Sequence, residues 1–210
     1  MISQISDTIL SQLSEFIVSI MGLHFPESKW SDLKRGIKSA SNEFGYKNPL
    51  EFVSWLMSAK LTRTHIEILS SHLTVGETYF FRNKKNFEIL EEQILPEMID
   101  SRKDVRYLRI WSAGCSSGEE AYSIAILLKK IISDINDWKI TILATDINPH
   151  FLKKGLAGIY TDWSFRSTPS WVKEGYFKKT KEGNYSIIPV LKNMVIFEYL
   201  NLAEDIYPPF

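Results

Sequence analysis

The sequence contains a single cysteine, Cys115, and only four histidines among its 210 residues. One cysteine cannot form a disulfide within the chain, and the histidines lack the spacing of metal ligands. Long hydrophobic runs are also missing, since no apolar stretch approaches the roughly 18 residues of a membrane span. The N-terminus has no basic segment followed by an apolar one, as a secretory signal would have. These absences predict a cytoplasmic protein without a bound metal and without membrane insertion.

Neither sign of charge is in excess, because 25 Lys and Arg residues balance 25 Asp and Glu residues. This balance argues against nucleic acid as the main partner. The hydrophobic content of 44% is ordinary for a globular protein. The length allows one large domain or two small ones.

A strand, a glycine turn and the start of a helix follow one another in residues 108–126, LRIWSAGCSSGEEAYSIAI. The apolar residues before Gly114 are typical of a buried parallel strand, and those after Gly118 recur at helical spacing. Small residues between the two glycines would let a ligand approach the backbone. Glu119 and Glu120 in the first helical turn would repel a phosphate. The turn therefore favours a cationic ligand without phosphate, such as S-adenosylmethionine; the alternative is an ordinary strand–helix turn.

A second predicted strand, residues 138–147, carries Asp146 near its end. An acid at this point of a nucleotide-binding unit commonly accepts hydrogen bonds from a ribose diol. We therefore predict that Asp146 binds a cofactor ribose. Its alternative role is the N-cap of a helix that begins near Pro149.

The first third of the chain has helical patterns. Apolar spacing predicts a first helix over residues 2–20 and a second over residues 30–44. Asn48 before a proline is expected to cap a third helix, and Thr64 with Glu67 to open a fourth. These elements predict a small helical domain.

Four blocks resemble, in order and spacing, the CheR-type chemotaxis receptor methyltransferases: TVGETYFFR at 74–82, RIWSAGCSSGEEAYSIAI at 109–126, ATDINPHFLKKGLAGIY at 144–160 and VIFEYLNL at 195–202. The resemblance implies a protein-glutamate O-methyltransferase that uses S-adenosylmethionine, releases S-adenosylhomocysteine and acts on methyl-accepting chemotaxis receptors. It also implies an α/β fold with a small N-terminal helical domain and a partial Rossmann-like methyltransferase domain carrying a small antiparallel β insertion. The expected ranges are 1–73 for the helical domain, 74–100 for a linker and connecting helix, 101–210 for the cofactor-binding domain and about 160–192 for the insertion.

By the same resemblance, the cofactor contacts eight residues: Thr78, Arg82, Ala113, Gly114, Glu119, Asp146, Asn201 and Leu202. Arg82 is also the predicted catalytic residue, because its guanidinium can position a substrate carboxylate. A glutamate side chain is already an anion at neutral pH and needs no general base. Catalysis would then come mainly from positioning and desolvation. Gly76 stands where many family members carry Asn, so one side-chain contact is missing or is made by backbone.

The sequence stops at Phe210, before further strands that the resembled family would contribute. The strand at residues 108–113 is therefore expected to have an apolar edge without a neighbour. Another chain could cover it, so self-association through this edge is one expectation. The same feature leaves a second function open, a non-catalytic module that binds S-adenosylmethionine or a partner protein. Whether the 210-residue chain is active alone is left open by the sequence.

Overall fold

The computed structural model describes residues 5–204 and 206–208. Predictions that extend over residues 1–4, 205, 209 and 210 lie outside these ranges.

The described chain forms two compact units. The helical unit contains residues 5–75, residues 147–149 and the described residues beyond 199. The sheet unit contains residues 76–146 and 150–199. The domain boundaries expected from the sequence at residues 73 and 100 stay predictions.

The helical unit is built from helices with the bounds Asp7–Met21 (α1), Trp30–Glu43 (α2), Pro49–Ser58 (α3) and Arg63–Leu73 (α4). Their apolar stripes meet in one core, where Ile37 and Leu69 are completely buried. The Asn48 side chain accepts a hydrogen bond from the backbone N–H of Leu50, and Pro49 takes the first helical position. The predicted start of the third helix is thus confirmed.

The predicted start of the fourth helix is wrong, because Thr62 and not Thr64 is its N-cap. The Thr62 hydroxyl accepts from the backbone N–H of His65, and the His65 ring accepts from the backbone N–H of Thr62, both at 3.3 Å. A histidine therefore takes the place of the usual Glu or Gln in the capping box. Glu67 instead accepts from the Arg63 guanidinium at 2.8 Å, one helical turn away.

Two buried asparagines from later in the chain complete the helical unit. The Asn148 side-chain amide donates to the Thr74 hydroxyl at 2.8 Å. The Asn201 amide donates to the Ile20 carbonyl at 2.7 Å, near the end of α1, where carbonyls lack helical partners. Residues far apart in sequence therefore satisfy polar groups of the first helices.

The remaining strands and helices follow in chain order. The strands are Tyr107–Ala113 (β1), Lys139–Asp146 (β2), Ile159–Tyr160 (β3), Phe177–Lys179 (β4), Tyr185–Ile187 (β5) and Val195–Tyr199 (β6). The helices are Lys84–Ile89 (α5), Leu95–Arg102 (α6), Glu119–Ile131 (α7), Pro149–Ala157 (α8), Ser170–Tyr176 (α9) and Pro189–Lys192 (α10). None of the helices within the described ranges is both long and apolar enough to cross a bilayer.

One turn of π-helix, Leu90–Ile94, joins α5 to α6. Pro96 follows in the first turn of α6 and has no N–H to donate to the Glu92 carbonyl. The interrupted hydrogen-bond ladder explains why the helix widens at this point.

Three strands form a parallel sheet in the order β1–β2–β6, and three form an antiparallel sheet in the order β3–β5–β4. Strands β4 and β5 form a hairpin within the range of the expected insertion, and Gly183 in its turn has a φ of 86°. In the described part of the chain, β1 lies at one edge of the parallel sheet. This arrangement confirms the predicted α/β fold class, a partial Rossmann-like sheet with a small antiparallel insertion.

Glycines allow a close approach of helices and strand in the sheet unit. A Cβ at Gly155 in α8 would lie 2.4 Å from Cε1 of Phe197 in β6, and one at Gly118 would lie 2.7 Å from Cζ of the same ring. The buried Tyr122 hydroxyl of α7 donates to the Gly155 carbonyl at 3.0 Å. These contacts fix the start of α7 against the sheet.

Candidate active site

The turn between β1 and α7 uses backbone conformations that side chains rarely adopt. Gly114, Ser116 and Gly118 have φ values of 71°, 50° and 90°. A Cβ built at Gly114 would meet nothing within 4 Å. The backbone of Gly114 therefore faces open space, whereas that of Gly118 is packed.

Asp146 ends β2 beside this turn. Its Oδ2 accepts a hydrogen bond from the Ser116 backbone N–H at 2.7 Å, and the carboxylate is buried. The parallel register, with Ala113 opposite Thr145, brings the ends of the two strands to the same edge of the sheet. Helix α8 begins at Pro149, so Asn148 and not Asp146 precedes it. The alternative role of Asp146 as N-cap of that helix is therefore wrong.

A cavity of about 200 Å³ lies between the turn and residues 77–83. It is lined by three of the predicted site residues, Thr78, Arg82 and Gly114. Ser116, which is bonded to Asp146, lines it as well. Within the described ranges, the buried Ser116 hydroxyl oxygen has no hydrogen-bond partner. A polar atom of the turn is thus left for a ligand to satisfy.

The two acids at the start of α7 have different surroundings. The buried Glu119 carboxylate accepts from the Ser117 hydroxyl at 2.8 Å and from the Ser164 hydroxyl at 3.0 Å. Glu120 lines the cavity, and its Oε1 accepts from the Ser112 hydroxyl at 2.7 Å. The structure thus brings Glu120 to the cavity, whereas the sequence favoured Glu119. The predicted cofactor contact of Glu119 stays a prediction.

The segment that carries Arg82 contributes both core and cavity walls. Phe80 is completely buried and stacks on Phe165, with ring centroids 4.9 Å apart. Tyr79 lines the cavity, and its hydroxyl donates to the Arg82 carbonyl at 3.3 Å. The exposed Arg82 guanidinium donates to the Glu77 carbonyl. The aromatic residues of this segment are therefore partly core and partly pocket wall.

Cys115 lines the cavity but is not suited to act as a nucleophile. Burial, and next the charge of Asp146, raise the pKa of the Cys115 thiol. The thiol therefore stays protonated at neutral pH. Only the thiolate form of cysteine attacks readily as a nucleophile. Among the described residues, no group of three His, Cys, Asp or Glu side chains could hold a metal ion.

The other predicted residues lie elsewhere. Ala113 is the exposed last residue of β1, directly before Gly114. Asn201 and Leu202 belong to the helical unit, where Asn201 bonds to Ile20 and its Oδ1 accepts from the Ala203 N–H at 3.1 Å. Their predicted contact with the cofactor stays a prediction.

Several cavity residues are not among the site residues predicted from the sequence. Glu77, Asn83 and Phe87 line the cavity next to the predicted Thr78 and Arg82. Their position beside a predicted motif is the only signal that the sequence offers. Glu77 and Asn83 lie between α4 and α5, and Phe87 lies in α5. The sequence alone does not show which of these side chains face the cavity.

Comparison with known proteins agrees with this arrangement. Residues 76–210 match the family described as "CheR methyltransferase, SAM binding domain". The chain is 32% identical over 202 residues to the "Chemotaxis protein methyltransferase" of Borreliella burgdorferi, covering 95% of this chain and 71% of that protein. It is 29% identical over 189 residues to the "Probable chemotaxis protein methyltransferase" of Rhizobium etli, covering 89% of this chain and 70% of that protein. For "Chemotaxis protein methyltransferase 2" of Vibrio cholerae the identity is 28% over 198 residues, covering 94% and 68%.

Proposed function

This chain belongs to the CheR methyltransferase family, and from that membership we propose that it methylates glutamate side chains of chemotaxis receptors with S-adenosylmethionine. The observation that carries the proposal is the cavity where Arg82, Gly114 and Glu120 converge. All three lie in the range that matches the family.

The residues around the cavity fit the cofactor that the family uses. Gly114 leaves its backbone open to a ligand, and Ser116 offers an unsatisfied hydroxyl. Carboxylates at Glu120 and Asp146 suit a cofactor that carries positive charge and ribose hydroxyls. The cavity of about 200 Å³ is smaller than the roughly 300 Å³ or more of a complete small-molecule site. It would therefore take only part of the cofactor.

When bound, S-adenosylmethionine supplies the methyl group of its sulfonium. The chain's own task is to bring a glutamate carboxylate to that group and to keep it in line. Arg82 is the cation of the cavity and can pair with the carboxylate through two parallel hydrogen bonds. Because the substrate is already ionised, the cavity needs no general base. Positioning and the exclusion of water then supply the rate enhancement.

The remaining parts of the proposal concern partners and location. The substrates are methyl-accepting receptors, and the protein acts on them from the cytoplasm. The proposal also includes self-association of the chain through the edge of β1. It is supported by the position of β1 at one edge of the described sheet. No contact between described residues favours the alternative, a non-catalytic binding module.

Methyl transfer to receptor preparations tests the proposal. The purified chain is incubated with S-adenosylmethionine labelled in the methyl group and with membranes that contain chemotaxis receptors. Base-labile methyl esters are then counted as released methanol. We expect esters with the wild type and about a hundredfold fewer with Arg82→Ala, the size of loss that misplacing a reactant causes.

Arg106→Ala is the matched control, because Arg106 precedes β1 and forms ion pairs with Asp134 and Asp137 instead of lining the cavity. It should methylate like the wild type. A wild-type chain that binds S-adenosylhomocysteine but forms no ester would contradict the proposed function.

A further inference from the structure

We propose that Arg166 is a positioning residue of this site, which acts through Glu77 to hold the segment that carries Arg82. The inference deepens the proposed function and rests on it for the role of Arg82. Arg166 lies after β3, 84 positions beyond Arg82, and it belongs to the same sheet unit.

The Arg166 guanidinium donates to three acceptors. Its Nη2 donates to the Glu77 carboxylate and, at 3.3 Å, to the Thr78 carbonyl. Its Nη1 donates to the Trp163 carbonyl at 2.7 Å. Only 19% of the Arg166 side chain is exposed. A largely buried cation thus connects the turn after β3 to the first residues of the cavity segment.

Two aromatic rings hold the same guanidinium. Its central carbon lies 4.2 Å from the ring centroid of Tyr79 and 4.4 Å from that of Trp163. A planar guanidinium can stack on rings while its edges donate hydrogen bonds, which an ammonium group cannot reproduce. The position therefore calls for arginine in particular.

Glu77 contacts both Arg166 and Arg82, the proposed catalytic residue. Its carboxylate accepts from Arg166, and its backbone carbonyl accepts from the Arg82 guanidinium. Glu77 and Arg82 both line the cavity. If Arg166 is removed, the peptide group that orients Arg82 loses its side-chain anchor.

Other bonds hold the middle of the segment without Arg166. The Phe80 N–H donates to the Ser164 carbonyl at 2.9 Å, and the Thr168 hydroxyl donates to the Phe80 carbonyl at 2.9 Å. Phe80 is also completely buried. Loss of Arg166 should therefore loosen residues 77–79 and leave Phe80 in place.

Backbone order in the ligand-free chain tests this directly. In Arg166→Gln, NMR order parameters of residues 77–79 should fall from about 0.85 towards about 0.6, while those of α7 stay high. Glu77→Gln should give the same local loss. Lys173→Gln is the matched control, because Lys173 pairs with Asp162 at 2.9 Å and stacks on Tyr185 without touching residues 77–82. Unchanged order at residues 77–79 in Arg166→Gln, or an equal loss in α7, would overturn the inference.

Calorimetric binding of S-adenosylhomocysteine supplies the second readout. We expect Arg166→Gln and Glu77→Gln each to weaken binding about tenfold, and the double variant to weaken it no further, since both remove one connection. Fully additive losses in the double variant would show that Arg166 does not act through Glu77. Arg166→Lys keeps the charge and should recover only part of the affinity.

Neither measurement depends on methyl transfer. A chain that shows these changes but forms no methyl ester would overturn the proposed function alone.

Discussion

The backbone N–H of Ser116 donates to Oδ2 of Asp146 at 2.7 Å and so connects the turn after β1 to the end of β2. A hydrogen bond to a buried carboxylate is among the stronger ones in proteins. The acid that the sequence predicts as a ribose ligand therefore also fixes the turn whose residues line the cavity.

Asp146→Asn separates these two roles. The amide oxygen can still accept from Ser116, so thermal unfolding should stay close to that of the wild type. The charge is lost, and a charge-assisted bond to a ribose hydroxyl becomes a weaker neutral one. We expect binding of S-adenosylhomocysteine to weaken about tenfold in calorimetric titration. Asp137→Asn is the control, because Asp137 forms an exposed ion pair with Arg106, and this variant should bind S-adenosylhomocysteine like the wild type. Equal affinities of the wild type and both variants would show that Asp146 has a structural role only.

Gly155→Ala should destabilise the chain although alanine favours helices. The added Cβ would lie 2.4 Å from Phe197 Cε1, so the ring must move in a packed core. Overpacking of this kind lowers the free energy of unfolding by about 1–3 kcal/mol. Gly175→Ala is the matched control, because its Cβ in α9 meets nothing within 4 Å. It should be neutral or stabilising by up to about 1 kcal/mol. Urea unfolding gives the free energy of unfolding of both variants. Equal values would show that the Phe197 ring in β6 moves aside at no cost in stability.

Stability should decline in alkaline solution because three buried groups favour their neutral forms. Burial is the main cause that raises the pKa of the Cys115 thiol above its ordinary value of 9.0 and the pKa values of Tyr122 and Tyr160 above 10.0. The folded chain then keeps these protons to higher pH than the unfolded chain does. The resulting stabilisation is complete below the ordinary pKa values and is lost as pH rises from them towards the raised pKa values of the folded chain.

Urea unfolding between about pH 8 and about pH 11 measures this decline. Each group contributes at most about 1.4 kcal/mol per pH unit to the fall in the free energy of unfolding. Tyr122→Phe removes one titrating group and should flatten the decline above pH 10.0. It also removes the bond to Gly155, so its stability at neutral pH should be lower by about 1 kcal/mol. A variant with the same slope as the wild type would show that Tyr122 does not control alkaline stability.

The sequence predicts the framework of the sheet unit because its signals are local. Apolar residues before Gly114, the glycines of the turn and the helical spacing after Gly118 are contiguous, and they define β1, the turn and α7. The hairpin at Gly183 is marked by its own turn residues. Family resemblance added the identity of Arg82, which composition and spacing could not supply.

The side chains that face the cavity depend on contacts that the sequence does not display. Glu119 and Glu120 are neighbours of the same type, and successive residues of a helix point about 100° apart. The hydroxyl of Ser164, distant in sequence, satisfies Glu119, so Glu120 is left at the cavity. No local pattern identifies the role of Arg166 either, because two of its acceptors, Glu77 and Thr78, lie more than eighty positions away.

The discontinuity of the helical unit has a consequence for biosynthesis. Its four helices leave the ribosome first, but the amides that bond to Thr74 and Ile20 belong to Asn148 and Asn201. Residues 76–199 must be translated before the second of these bonds can form, which takes about 6–25 s at about 5–20 residues per second. During that interval the nascent helical segment has its apolar core but lacks a buried polar partner at α1. The segment synthesised first is therefore among the last to reach its native hydrogen bonding.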